Sequence, residues 1–174
     1  MATVRVSGLD KAMAGVRAAV QQGVVGGLNV AGARGEALIK QNIASPYLGR
    51  GPAVSTGILL NSIGFEPVRT VDVTRVEIKA FPPAEAYAAY VEAGTGPHFP
   101  PPSALLLWVK RKFHVGDEKQ AMSIAFLIAR KIARRGTLAF GMFARALNQL
   151  QGELKGIFEA AFAAEIAKRG LGKS

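Results

Sequence analysis

The stretch YAAYVEAGTGPHFPPP, residues Tyr87 to Pro102, decides how the rest of the chain is read. It opens as a short amphipathic helix, with Tyr87, Tyr90 and Val91 at the i, i+3, i+4 spacing that sets three apolar groups on one face. Gly94, Thr95, Gly96 and Pro97 then end it. Pro100, Pro101 and Pro102 hold the next segment extended, because each ring fixes φ and biases the residue before it towards polyproline geometry. The result is a stiff arm, residues 94–102, between two helical regions.

Towards the N-terminus, strand signals come first. Ile63 and Phe65 alternate in one segment and Val76, Ile78 and Ala80 in a second, with Val71 and Val73 between them. This predicts a hairpin over 62–81, with 62–69 paired to 75–81. Pro67 makes the first strand an edge, and two strands alone are marginal, so they must pack on helices or join strands of another subunit. The preceding run SPYLGRGPAVSTG, residues 45–57, is loop by every local rule, and its length makes it a candidate for contact with a partner. Residues 8–44 read as helix. Leu9, Met13, Val16 and Val20 share one face, Val24, Leu28, Ala31, Leu38 and Ile43 form a drifting stripe, and Ser7 with Asp10 resembles a capping box. Gly15, Gly23, Gly26, Gly27, Gly32 and Gly35 each cost about 1 kcal/mol relative to Ala in a helix interior, so a break near Gly26 and Gly27 is expected. Close helix packing in an assembly is the other use such glycines have.

Towards the C-terminus, Ser103 reads as the N-cap of a helix through Leu106, Leu107, Val109 and Lys110, with Trp108 as a packing anchor. Lys110, Arg111, Lys112 and His114 close it at the end where the macrodipole favours cations. Asp117 starts the next helix, whose apolar stripe is Ile124, Leu127, Ile128 and Ile132. Gly136 and Thr137 read as the C′ residue and N-cap of a helix-to-helix joint. The final helix, about 138–169, steps by three and four through Phe140, Phe143, Leu147, Leu150, Leu154, Ile157 and Ala161, with Phe158, Phe162 and Ile166 in a neighbouring row. The class is therefore α+β: a small antiparallel β-sheet or hairpin packed on long α-helices, with an extended Pro-rich arm. A single domain, 1–174, is expected, with its C-terminal helices over 103–169.

The helix ending in YVEAGT and running into an arm with His98 resembles the tail-completion family of long-tailed bacteriophages and prophages, also known as minor tail or head-to-tail joining proteins. Two other segments are similar to that family's pattern. SPYLGRGPAVSTGILLNSI, Ser45 to Ile63, matches "P, then TG, then L, then SI"; RRGTLAFGMFARAL, Arg134 to Leu147, matches "GT, then F, then AL". Family members carry prolines around the position of Gly141 and Met142, where this chain has none, so the last joint is expected to be helical and not bent. The resemblance implies a structural virion protein at the neck or upper tail, assembled in the host cytoplasm. It implies a ring of subunits, a hexamer to match the tail, with neighbouring neck or tail proteins as further partners and DNA in the channel. It assigns subunit or partner contact to Tyr47, Leu48, Thr56, Tyr90, Glu92, Thr95, His98 and Phe99.

The net charge of +10 is uneven: residues 96–135 hold eight basic and two acidic side chains, whereas 61–95 hold three and five. Arg130, Lys131, Arg134 and Arg135 are candidates to meet DNA or an acidic protein surface, and a basic nucleic-acid-binding module is the alternative reading of the whole chain. A solvated basic face fits the same pattern. With 49% hydrophobic and 20% charged residues the chain is not of disordered composition, and without cysteine it has neither disulfides nor thiolate metal sites. MATVRVSGLDKAM lacks a signal-peptide core, and the apolar runs fall short of the ~20 residues of a membrane helix, so no membrane contact is expected. Enzymatic signatures are missing. His98 and His114 form no HExxH, there is no phosphate loop or GxSxG elbow, and Glu85 and Glu92, seven apart on one helical face, read as a solvated acidic pair. No catalytic residue, metal, cofactor or small-molecule substrate is expected.

Overall fold

The computed structural model describes residues 9–54, 56–70 and 74–170, with side chains from residue 13 onward. The elements in order are α1 (Leu9–Ala44), α2 (Ile58–Ser62), β1 (Ile63–Arg69), β2 (Thr74–Ala80), α3 (Glu85–Ala93), α4 (Pro102–Phe113), α5 (Glu118–Arg135) and α6 (Met142–Lys168). β1 and β2 form a two-stranded sheet, so the chain is α+β with a small hairpin beside long helices. Ser7, the side chain of Asp10, Val71 and Val73 lie outside the described residues. No helix among the described residues is long and apolar enough to cross a membrane.

Two compact units are delimited, one from residues 1–38, 65–78 and 147–174, the other from 39–64 and 79–146. In the first, α1 runs unbroken to Ala44, against the expected break at Gly26 and Gly27. The glycines are notches. The ring of Phe162 stands where a β-carbon on Gly23 would be, that of Phe158 does the same at Gly27, and Leu150 closes on Gly35, so every step along α1 is matched by an equal step back along α6. Further along, Phe65 and Val76 fill the notch at Gly32 and Ile78 that at Gly35, which seats the hairpin on the same helix. Removing a β-carbon costs helix propensity, and contact with a whole aromatic ring offsets it.

The buried positions of α1 are small as far as Gly35 (Ala19, Gly23, Gly27, Ala31, Gly32 and Gly35) and large beyond it, where Leu38 and Ile43 of the expected stripe are buried with Ile39. Met13, Val16 and Val20, expected to share a packed face, are exposed. The same inversion recurs in the second unit. α3 buries Ala88, leaves Tyr90 outside and covers Tyr87 only in part. α5 buries Ala121, Ala125 and Ala129 at 0% exposure, and Leu127, expected in its core stripe, is 62% exposed. Val109 of α4 packs with Ala121 and Ala125, and Leu105, Leu106, Ile124 and Ile128 close the cluster, because small residues let two helix backbones approach while larger ones fill the flanks. Leu147 of α6 also points outward.

Helix ends depart from expectation for local reasons. α4 starts at Pro102 and not after Ser103, since a proline without an N–H is at no disadvantage in a first turn. His114, at φ 54°, closes it through an N–H to Lys110 O. Asp117 caps α5 as expected, its Oδ1 accepting from Gln120 N at 2.7 Å. α6 starts at Met142, not at residue 138; Thr137 caps nothing, and the joint before Met142 is bent.

Candidate interaction site

What bends that joint is a clasp between two Gly-Thr pairs. Thr95 and Thr137 form an antiparallel bridge, with Thr95 N donating to Thr137 O at 3.1 Å, Thr137 N to Thr95 O at 3.0 Å, and the two hydroxyls 2.9 Å apart. Gly94 (φ 72°, ψ −175°) and Gly136 (φ 65°, ψ −159°) adopt backbone geometry that is essentially restricted to glycine. A β-carbon on Gly94 would fall on the Thr137 carbonyl, and one on Gly136 on the Thr95 carbonyl. The strand-like pairing continues as Phe140 N donates to Val91 O and Gly141 N to Glu92 O.

Glu92 then does what no residue of the joint itself can do. Its carboxylate accepts from Phe143 N and Ala144 N, each at 2.9 Å, and so caps the otherwise unpaired first turn of α6 with a negative charge at the positive end of the helix. From the other side, Arg50 donates to the carbonyls of Leu138 (3.1 Å) and Ala139 (2.6 Å). Arg145 donates to Gly141 O and Asn42 O and lies 4.0 Å over the Tyr47 ring, which meets Phe140 edge-on at 5.8 Å. Asn42, a buried polar side chain, donates to Met142 O at 3.1 Å. The three segments Ser45–Ile63, Tyr87–Pro102 and Arg134–Leu147 thus meet in one structure.

Within the loop 45–57, residues 47–50 form a defined turn where composition predicts only irregular structure. Tyr47 and Arg50 exchange both backbone hydrogen bonds at 3.0 Å around Leu48 (φ 50°) and Gly49 (φ 71°), a turn of type I′. Leu48 holds a left-handed conformation that leucine disfavours, at the tip of that turn, and is 72% exposed. Beside it lies a cavity of about 590 Å³ whose apolar lining includes Val54, Leu59, Trp108 and Phe140, with Arg50 and Lys112 as its cations. Burial pushes the phenol of Tyr87, another lining residue, up from its ordinary value.

The residues assigned to partner contact therefore divide. Tyr47, Glu92 and Thr95 are engaged inside the clasp. Thr56 accepts from Ile58 N at 3.4 Å ahead of α2. His98 has Nδ1 3.0 Å from Gly96 O and N–H directed at Ile132 O, which tethers the arm to α5. Leu48, Tyr90 and Phe99 are exposed. Arg130, Lys131, Arg134 and Arg135 are exposed on the last turns of α5, with no ion pair among the described residues. Sequence reasoning did not find Arg50, Arg145 and Asn42; their spacing carries no motif, and only the folded joint brings them to the same carbonyls. Comparison with protein families, with curated proteins and with solved structures finds no match to this chain.

Proposed function

We propose that the chain is a structural virion protein of a long-tailed phage or prophage, acting in tail completion and head-to-tail joining at the neck as one subunit of a ring, sixfold to match the tail. The observation that carries this reading is the outward placement of large apolar side chains, Met13, Val16, Val20 and Val30 on α1, Tyr90 on α3 and Phe126 and Leu127 on α5. Apolar surface of that extent is what an assembly covers, and Leu48, Tyr90 and Phe99 add to it from the loop and arm. The clasp gives the three segments of the family resemblance a common purpose: it fixes where loop and arm point. The mechanism is geometric, with no catalytic residue or cofactor. Loop 45–57 and arm 94–102 meet adjacent subunits or tail proteins.

Electron microscopy of lysates from the parent element, with this reading frame deleted and then restored in trans, tests the proposal. Filled heads beside unattached tails, cured by complementation, are expected; normal particles without the gene would overturn it. The second reading, a nucleic-acid-binding module, is favoured by the four clustered cations Arg130, Lys131, Arg134 and Arg135, which form no ion pair among the described residues. It requires retention of the chain on duplex DNA that falls steeply with salt and disappears when all four are replaced by Ala.

A further inference from the structure

The exposed side of α5 combines two features that a single partner has to satisfy. Lys119, Ser123, Leu127, Arg130 and Arg134 follow one another by three or four residues along it, with Phe126 adjoining. Pro102 of the arm's end, Met122, Phe126 and Leu127 line a shallow apolar recess of about 410 Å³ in which Ser123 is the one polar residue. Phe99 extends the apolar surface, its ring edge-on to Phe126 at 6.1 Å. The charge is concentrated at the C-terminal end of this recess, where Arg130 and Arg134 stand flanked by Lys131 and Arg135. At the other end Lys119 is accompanied by Glu118, which pairs with Lys110 of α4 at 3.8 Å.

We infer that this face of α5 docks an acidic amphipathic segment of a partner protein, its apolar side chains in the recess and its carboxylates against Arg130 and Arg134. Charge complementarity selects the acidic partner. The recess selects protein over nucleic acid: a duplex presents phosphates to the arginines but nothing apolar to cover Leu127 and Met122, whereas an acidic amphipathic helix covers both at once. Cations beside an apolar centre steer the encounter, and the desolvated centre carries the affinity. The inference rests on α5 and the arm alone and stands whether or not the chain works at a phage neck.

Short random peptides displayed and selected against the full chain test it. Selected peptides should pair Leu, Ile, Phe or Met with Asp or Glu at helical spacing. Synthetic versions, followed by fluorescence anisotropy, should bind the wild type and lose about tenfold or more in affinity for Leu127→Ser and separately for Arg130→Glu with Arg134→Glu. All three side chains are exposed, so circular dichroism should be unchanged. A selection with no acidic bias, or binding that survives either variant, overturns the inference. So does a DNA duplex, or a vesicle of anionic lipid, that binds as tightly as the peptides and is insensitive to Leu127→Ser, since the face then reads charge alone.

Discussion

Between Gly23 and Gly35, α1 meets α6 chiefly through shape: two glycines one turn apart receive two phenylalanines one turn apart, and the pair of Arg34 with Glu153 adds a polar contact at the exposed edge. Between Glu92 and Arg145, the second unit is held by directed polar contacts in which nearly every participant is a backbone carbonyl or amide met by a side chain far away in sequence. The first arrangement tolerates small shifts, because a ring can slide in a notch. The second does not. Its geometry fails when a single atom is added, and the energetic consequences of substitution should separate the two regions accordingly.

The largest effect is expected at the clasp. Gly136→Ala combines a backbone geometry that costs about 1–3 kcal/mol for a non-glycine residue with overlap against a carbonyl that cannot rotate away. Urea denaturation should show a loss of about 3 kcal/mol or more, and Gly94→Ala should behave alike. A loss below about 1 kcal/mol would mean that the clasp yields as the notches do.

Glu92→Ala comes next, removing two charge-assisted caps at once, for about 1–2 kcal/mol. Glu92→Gln should lose roughly half as much, since its amide oxygen still accepts. Hydrogen exchange should quicken at the Phe143 and Ala144 amides in both variants, and unchanged protection there would remove Glu92 from the account.

On the shape-based side, two alanines should have opposite signs. Gly23→Ala drives a methyl into the Phe162 ring and should cost about 1–2 kcal/mol after the gain in helix propensity. At Gly152→Ala the β-carbon meets open space, and stability should rise by about 0.5–1 kcal/mol. If thermal midpoints rise for both, the notch is softer than the geometry implies.

The smallest effect belongs to the exposed pair of Arg34 with Glu153, which joins α1 to α6 through two hydrogen bonds of 2.6 and 2.8 Å. The Arg34 hydrogen bonds hold the Glu153 carboxyl below its ordinary value. A depressed carboxylate pKa favours the folded chain above the unfolded value, near ~4.3, and that share is lost as pH falls through the lower folded value. Stability measured against pH for the wild type and Glu153→Gln should diverge slightly above that range and converge in acid, and salt should narrow the difference.

Much of this architecture was legible in the residues. The hairpin, found at 63–69 and 74–80, follows from alternation, and the ends of α5 follow from Asp117 and Gly136. What misled was the rule that large apolar side chains mark the buried face. In the first part of α1, in α3 and along the centre of α5 the fully buried positions are small residues, because close approach of backbones demands them. Periodicity weighted by size therefore misplaces Met13, Val16, Val20, Tyr90 and Leu127, whereas Leu38 and Ile43 of α1 and Ile124 and Ile128 of α5 do pack inward as expected. The start of α6 was illegible for another reason. Its cap is a glutamate 50 positions upstream, seen only when α3 is folded beside it. Tyr87 to Pro102 did announce where α3 stops, but nothing in it reveals that Thr95 finds its partner 42 residues later.

That partnership makes α4 and α5 a cassette. The chain leaves at Thr95 and returns at Thr137, and the bridge holds these two points together. Length and content between them can change at small entropic cost, since closing a longer loop on an existing clasp adds only about 0.6 kcal/mol per doubling. A gene carrying this chain could therefore exchange its α4–α5 hairpin for one that fits a different neighbour, while the joint that receives it keeps the same residues.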